Sequence, residues 1–549
     1  MSRRPDSAAP ARPPTSAWSP LSVRLFRTLW LATLASNLGT WLQSVGAAWL
    51  MTELTTSATL VALVQAATSL PMFLLALPAG ALADVVDRRR LLLVSQSWML
   101  VVAGLLGAAT LAGATTPALL LAATFALGLG AAFNQPAWQA IIPELVPREQ
   151  LAQAVTLGSV GFNLARAAGP ALGGLLVATA GAGANFLLNA ASFLGVIVVL
   201  YRWRRPAEKP VLPAERVLGA MRTGLRYVRH SPAVLAVIAR GAAFVLCASS
   251  LWALLPLVAR DELGSGPAGY GGLLAALGAG AVAAAFALPR LRRGRSVEPV
   301  VVAGALVFAA GTLALAWLRS FPLLLVALVL AGGAWLSALS SLNVAIQTML
   351  PDWVRARALS VYMLVFFGGL AGGSALWGAL AERWGSALAL SLSALGIVVG
   401  VAATFRLRLP SGEGLDLAPS RQWPAPIVRR DLEPERGPVL VLVRFRIAPE
   451  RADEFRRTMA ERRRIRLRDG ALEWGLFADS SGEGRYTEIF LVRSWLEHLR
   501  QHERLTASDS EVDRAAHAFH LGDDPPAVEH LIGERMTRPP ASDETGSGR

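Results

Sequence analysis

The sequence predicts an all-α membrane bundle of about twelve transmembrane helices in two six-helix halves, followed by a C-terminal α+β ferredoxin-like soluble domain. Three observations carry this. Of 549 residues, 54% are hydrophobic and only 16% charged, where soluble domains carry nearer a quarter. Apolar runs of about 20 residues, each long enough to cross roughly 30 Å of hydrocarbon, recur up to residue 408. Beyond it the pattern changes to short apolar strands and charged helices.

Residues 1–20 are rich in Pro, Ala, Ser and Arg and are expected to be disordered. They carry no cleavable signal, because the first apolar run is long and another follows at once. The expected spans lie near 25–51, 57–83, 91–113, 117–142, 154–180, 184–203, 233–258, 267–289, 298–318, 322–349, 356–381 and 386–405. Arginine marks alternate loops: Asp87-Arg88-Arg89-Arg90, Arg202 to Arg205, Arg290 to Arg295 and Arg355 to Arg357. The loops between them, at 113–116 and 181–183, are uncharged. The positive-inside rule therefore puts the arginine side and both termini in the cytoplasm, the pattern of an inner, or cell, membrane protein.

The halves are 21–203 and 233–408, with a cytoplasmic linker at 204–232. In the linker Val217, Leu218, Met221, Leu225 and Val228 form an apolar stripe, with Arg216, Arg222, Arg226 and Arg229 on other faces. This predicts a helix lying on the inner membrane surface. The halves repeat weakly: one common offset lays Pro147, Ala152, Gly169 and Gly174 over Pro351, Ala356, Gly373 and Gly378. Duplicated six-helix halves are a common transporter plan.

Residues 409–436 read as a Pro-rich linker and 537–549 as a disordered tail. Between them, 437–536 reads β-α-β-β-α-β: strand 439–447, helix 449–468, hairpin 472–479 and 486–495, helix 495–519, strand 528–532. That order suggests a ferredoxin-like domain, expected to dimerise through edge strands such as 439–447.

Lys209 is the only lysine, in Glu-Lys-Pro, so no phosphate-binding Gly-Lys-Ser/Thr loop exists. A self-contained ATP pump is excluded, and uphill transport must draw on an ion gradient or a separate ATPase. Cys247 is the single cysteine, so no disulfide forms within the chain. The net charge of +14 reads as topology signal beside apolar runs rather than as a nucleic-acid surface. No cofactor motif is present. His498 and His502 share a helix face, but no third ligand is evident, so no metal site is expected.

The strongest motif follows the second span: Gly80-Ala-Leu-Ala-Asp84-Val-Val-Asp87-Arg88-Arg89-Arg90. A glycine lets helices approach, a carboxylate at the membrane edge can meet a helix N-terminus near Leu359, and the arginines can pair with Glu144. This stretch resembles the loop 2–3 signature of the major facilitator superfamily, which implies a gating role for these residues. Gly169-Pro170-Ala-Leu-Gly173-Gly174 resembles the end of that superfamily's antiporter motif, although Thr156 and Ala165 stand where its earlier glycines would be. The arginine often found in the fourth span is absent before Gly128-Leu129-Gly130. Pro143-Glu-Leu-Val-Pro147, Ala253-Leu-Leu-Pro256 and the run from Ser494 to Arg504 resemble the transmembrane secretion effector branch, relatives of the enterobactin exporter. The resemblance implies export of siderophores, drugs or secondary metabolites against protons. The tail resembles antibiotic-biosynthesis monooxygenases, and such fold likeness does not confer their activity.

Charge in lipid is expensive, which singles out Arg166 and Arg240 as coupling candidates, with Glu53 as the most plausible titrating carboxylate. Asn37, Trp41 and Gln43, then Asn134, Gln135, Trp138 and Gln139, then Asn163, Asn343 and Gln347, outline a substrate cavity. Interhelical hydrogen bonding is the alternative for each polar residue. The expected protein is thus a small-molecule transporter and not an enzyme, its partners being the bilayer, its substrate and protons. A transporter fused to an active cofactor-free oxygenase, or a nutrient importer, are the competing readings.

Overall fold

The computed structural model describes residues 16–203, 217–293, 296–407 and 435–534, together with 409, 416–418, 420 and 433. The side chains of residues 76, 77, 81, 83–85 and 217–221 lie outside the described residues, Asp84, Val217, Leu218 and Met221 among them. So do residues 1–15, most of the 409–436 linker and the tail from 535 onward.

α1 (Arg24–Leu54), α2 (Ala58–Val85), α3 (Arg88–Leu111), α4 (Pro117–Leu145) and α5 (Leu151–Arg202) precede the linker helix α6 (Val217–Arg229). α7 (Pro232–Leu257), α8 (Pro267–Leu291), α9 (Val297–Trp317), α10 (Phe321–Met349), α11 (Asp352–Trp384) and α12 (Ser386–Thr404) follow it. Local chemistry sets the starts. Ser57, Asp87 and Thr116 cap α2, α3 and α4 by accepting from the backbone N–H three residues on. Pro117 and Pro267 open α4 and α8 where a missing N–H costs nothing.

Among the described residues, ten helices are long and apolar enough to cross a membrane, against about twelve expected. Two elements account for the difference. α1 has 31 residues, but Ser36, Asn37, Thr40, Gln43 and Ser44 dilute its apolarity. α5 is one element of 52 residues; at about 1.5 Å per residue it runs more than twice the hydrocarbon thickness. Gly181 breaks it at φ 79°, a left-handed conformation that glycine adopts without a Cβ clash. The two arms on either side of Gly181 are the stretches expected as separate spans.

The described residues fall into two compact units: one holds α1–α5 and most of α7–α12, and the other the C-terminal domain with most of α6, the start of α7 and the α10–α11 turn. In the first, α1 and α3 pack on α5, α2 on α4, α9 on α12, and α5 meets α8 across the two helix groups. Large apolar side chains such as Val101, Leu105, Leu172, Phe286 and Leu395 are exposed on the bundle, as suits a lipid-facing surface.

In the second unit, β1 (Val439–Arg446), β2 (Glu473–Ala478), β3 (Arg485–Val492) and β4 (Ala527–Ile532) form one antiparallel sheet ordered β2-β3-β1-β4. Helix α13 (Ala452–Asp469) covers it, and Phe455 and Met459 meet the alternating inward residues Val439, Val441, Val443 and Phe445. The single expected helix 495–519 is two, α14 (Trp495–Arg504) and α15 (Ala507–His517). They are split where Thr506 forms a capping box with Asp509. β1 is not an edge: it lies between β3 and β4, so the expected pairing through 439–447 is not open. The edges are β2 and β4.

In α6, Tyr227 and Val228 are buried, while Leu225 stays exposed. Tyr227 packs edge-on against Trp353 at 5.6 Å, and burial pushes its hydroxyl up to about 12. Arg468 lies 5.3 Å over the Tyr227 ring and Arg504 4.9 Å over Trp353. Arg468 is held in turn by Asp469 at 2.8 Å and Asp509 at 2.6 Å. Within this unit the C-terminal domain thus grips the inter-half linker helix and the α10–α11 turn. Deletion of residues 437–549 is expected to leave an inserted bundle with reduced transport, because it uncovers Tyr227 and Trp353. Trp353→Ala in the full chain is expected to reproduce part of that loss, at a stability cost of about 3 kcal/mol. Vesicle transport and detergent melting curves check both, and unchanged transport by the truncated chain would refute the grip.

Candidate substrate cleft

A glycine face on α5 builds the centre of the bundle. A Cβ on Gly169 would stand 2.5 Å from the Trp41 Cβ, and one on Gly173 3.1 Å from the Val45 Cβ. Side chains longer than hydrogen would therefore push α1 off α5. On the neighbouring face a Cβ on Gly174 would lie 2.5 Å from the Pro267 carbonyl oxygen and 2.8 Å from the Gly271 Cα. Gly271 answers with 2.6 Å to the Pro170 carbonyl oxygen. Backbone touches backbone there, between α5 and the first turns of α8.

Toward the start of α5, beside Arg166, lies a small crevice with about 20 Å³ of room, partly open to solvent. Trp41, Arg166, Pro170, Trp252, Leu274, Leu277, Gly278, Ala281 and Trp335 line it. Trp335 anchors an aromatic wall, with ring centroids 5.8 Å from Trp252, 5.7 Å from Phe244 and 5.5 Å from Phe308. The Nε and Nη2 atoms of Arg166 are buried there without a hydrogen-bond partner, and so is the Trp252 indole nitrogen.

The other expected cavity residues are scattered. Gln43 is buried and accepts from Asn189 at 3.3 Å. Asn134 accepts from Gln96 at 3.1 Å. Asn163 donates to the Ser159 carbonyl of its own helix at 2.8 Å. Trp138 packs in the apolar cluster of Phe26, Leu29 and Ile141. Asn37 is half-buried on α1 and Asn343 on α10, while Gln135, Gln139 and Gln347 are exposed. Only Trp41 and Arg166 among the expected residues reach the cleft. Trp252 and Trp335 were not singled out by sequence, although both are tryptophans in mid-span, away from the interfacial belts where that residue usually sits.

Arg240 lies elsewhere. It is 3% exposed, ion-paired to Glu298 of α9, and donates to the Thr404 hydroxyl of α12 at 3.2 Å. Glu298 also accepts from the Leu409 N–H at 3.0 Å. This ties three helices together. Glu53 is exposed and accepts from the Trp49 indole at 2.7 Å.

At the arginine-bearing end, Asp87 caps α3 by accepting from the Arg90 N–H at 2.8 Å. Arg88 pairs with Glu144 at 2.9 Å and donates to the Ala140 carbonyl at 3.2 Å. Arg89 donates to the Leu200 and Tyr201 carbonyls, each at 2.7 Å, neutralising the C-terminal end of α5. A Cβ on Gly80 would meet nothing within 4 Å, so the close helix approach expected at that glycine is not there. In the C-terminal domain the His498 and His502 ε nitrogens are 3.3 Å apart. Burial and the neighbouring histidines push His498 down to about 3, and burial with Arg466 takes His502 to about 4. Both rings are neutral near pH 7, and among the described residues no three potential ligands converge on a metal position.

The family described as transmembrane secretion effector matches residues 15–538. The chain belongs to the transmembrane secretion effector family. It is 29% identical over 404 residues to the multidrug efflux pump Tap of Mycolicibacterium fortuitum, covering 70% of this chain and 96% of that protein. To the enterobactin exporter EntS of Shigella boydii it is 30% identical over 383 residues, covering 68% and 89%. The fold resembles an inward-facing bacterial homologue of the human lysosomal transporter Spinster, with a TM-score of 0.57 at 15% identity over 72% of this chain and 97% of that one. The nucleoside transporter NupG gives 0.52 at 13% identity over 70% and 98%. The chain is a multi-pass membrane transporter of the major facilitator superfamily.

Proposed function

We propose that the protein is a secondary active, proton-coupled exporter of a small molecule in the inner membrane, with twelve spans and both termini cytoplasmic. The observation that carries the reading is the cleft at Arg166, Trp41, Trp252 and Trp335, set between two helix groups that meet closely at one end. At that end Gly174 meets Gly271, Trp49 stacks on Tyr270 at 6.1 Å, and Glu382 of α11 accepts from Ser57 and Thr59 at the start of α2 at 2.8 and 3.0 Å. Consecutive helices alternate in direction, so this end carries the arginine-poor turns. Closure there, with the cleft beneath it, is the arrangement from which an exporter loads from the cytoplasm. Export agrees with the named activities of Tap and EntS. Counting α1 and the two arms of α5 as spans supports a total of twelve.

The loop 2–3 residues Asp84, Asp87, Arg88, Arg89 and Glu144 gate the opposite end in this reading. The C-terminal domain is ferredoxin-like, supported by its β2-β3-β1-β4 order, and self-pairing falls to its β2 and β4 edges, where Phe477, Val528 and Leu531 are exposed. Inverted vesicles with an acidic lumen are expected to accumulate substrate, and a protonophore to abolish the accumulation. Asp84→Asn is expected to slow it at least about tenfold, equivalent to about 1.4 kcal/mol, at unchanged abundance. Accumulation indifferent to the protonophore would remove proton coupling, and a full rate in the variant would remove the gate.

A further inference from the structure

We propose that the cleft selects an organic anion built on a planar aromatic ring, with a carboxylate or similar acidic group seated on Arg166 and the ring held among Trp41, Trp252 and Trp335. This rests on the transporter reading of the same cleft.

The argument begins with the polar atoms. The side chains that line the cleft contribute one guanidinium and three indole N–H groups, and all of these are donors. No lining side chain is an acceptor. Two of the arginine nitrogens and the Trp252 nitrogen are buried and unpartnered. Among the described residues Arg166 has no ion pair, in contrast to Arg240, whose charge is met by Glu298. A guanidinium does not shed its proton in a protein, and a buried charge without a partner is costly. Among the described residues no partner meets it, and a cleft of donors calls for an acceptor that carries negative charge. The fork of the guanidinium fits two oxygens at once.

The apolar walls decide the rest of the ligand. Trp335 is fixed by Phe244, Phe308, Trp252 and Phe366, so its face is pre-set rather than adaptable. Aromatic rings prefer offset-stacked or edge-on neighbours at such centroid distances. Gly278 stands where a Cβ would lie 2.9 Å from the Arg166 carbonyl oxygen, which keeps the floor flat. A cation would meet like charge, and a neutral polar ligand would leave the guanidinium charge unmet.

Purified full-length protein in nanodiscs would be titrated by calorimetry with 2-naphthoate, 2-naphthamide, 2-naphthylmethylammonium and cyclohexanecarboxylate. The expected result is that 2-naphthoate binds on the order of tenfold or more tighter than each of the others. Arg166→Gln is expected to erase the preference over the amide, and Arg166→Lys to keep it at weaker affinity, a rescue that a purely structural arginine would not give. Equal or tighter binding of the ammonium or the amide, cyclohexanecarboxylate matching naphthoate, or no binding by any of the four would each overturn the proposal. Vesicle uptake of the same compounds separates this from the exporter reading. Naphthoate accumulating in right-side-out rather than inverted vesicles overturns export and supports the ligand class. The ammonium alone accumulating in inverted vesicles overturns the ligand class and leaves export standing.

Discussion

Gly174→Val is expected to abolish transport while the protein still reaches the membrane. The added Cβ would fall 2.5 Å from the Pro267 carbonyl oxygen and 2.8 Å from the Gly271 Cα, well inside contact distance on both counts. These are backbone atoms, so no rotamer change can make room, and α5 and α8 have to move apart. Overpacking of this kind costs about 1–3 kcal/mol when side chains absorb it, and more where they cannot. The cost falls on an end at which the two helix groups meet closely. A transporter that cannot close that end loses a state of its cycle, so turnover stops even though each helix group stays intact. Gly158→Ala is the control, because a Cβ there meets nothing within 4 Å on the same helix. Substrate accumulation in inverted vesicles, normalised to protein abundance, reads the effect. A rate above about a tenth of wild type, a barrier change below about 1.4 kcal/mol, would show that the close approach is not needed for the cycle.

What the sequence made legible follows from how strongly each feature is tied to local chemistry. The change of class after residue 408 was readable because strand alternation has a period of two. The break at Gly181 was readable as a boundary between spans, although the helix around it runs almost unbroken. The order of strands was not: nothing in the pattern of 439–447 tells a central strand from an edge, and β1 is placed by β4 returning to its free side. The covering of Tyr227 by Arg468 and of Trp353 by Arg504 joins residues more than a hundred positions apart. Gln43 and Asn134 hydrogen-bond to neighbouring helices, the alternative that sequence left open for each. The aromatic wall of Trp252 and Trp335 carried no flag, because a tryptophan in an apolar run looks like packing.

The two mid-span arginines separate by their partners, and the second large effect belongs to Arg240. Arg240→Ala is expected to destabilise the bundle by about 3–5 kcal/mol, the usual result of leaving one member of a buried ion pair alone. Glu298 would keep its charge beside the Leu409 N–H but lose the guanidinium, while the Thr404 hydroxyl of α12 loses a donor. Since this one side chain bonds to both α9 and α12 from α7, the second helix group loosens where the three meet. Lower abundance in the membrane and a drop in the detergent melting temperature are therefore expected, with transport per surviving molecule close to normal. The double change Arg240→Met with Glu298→Leu is expected to recover most of the stability, because an apolar pair of similar volume removes both the charges and their desolvation cost. That recovery distinguishes a structural pair from a coupling site, which no apolar pair could serve. A double variant that is stable and abundant yet insensitive to the proton gradient would place Arg240 in coupling after all.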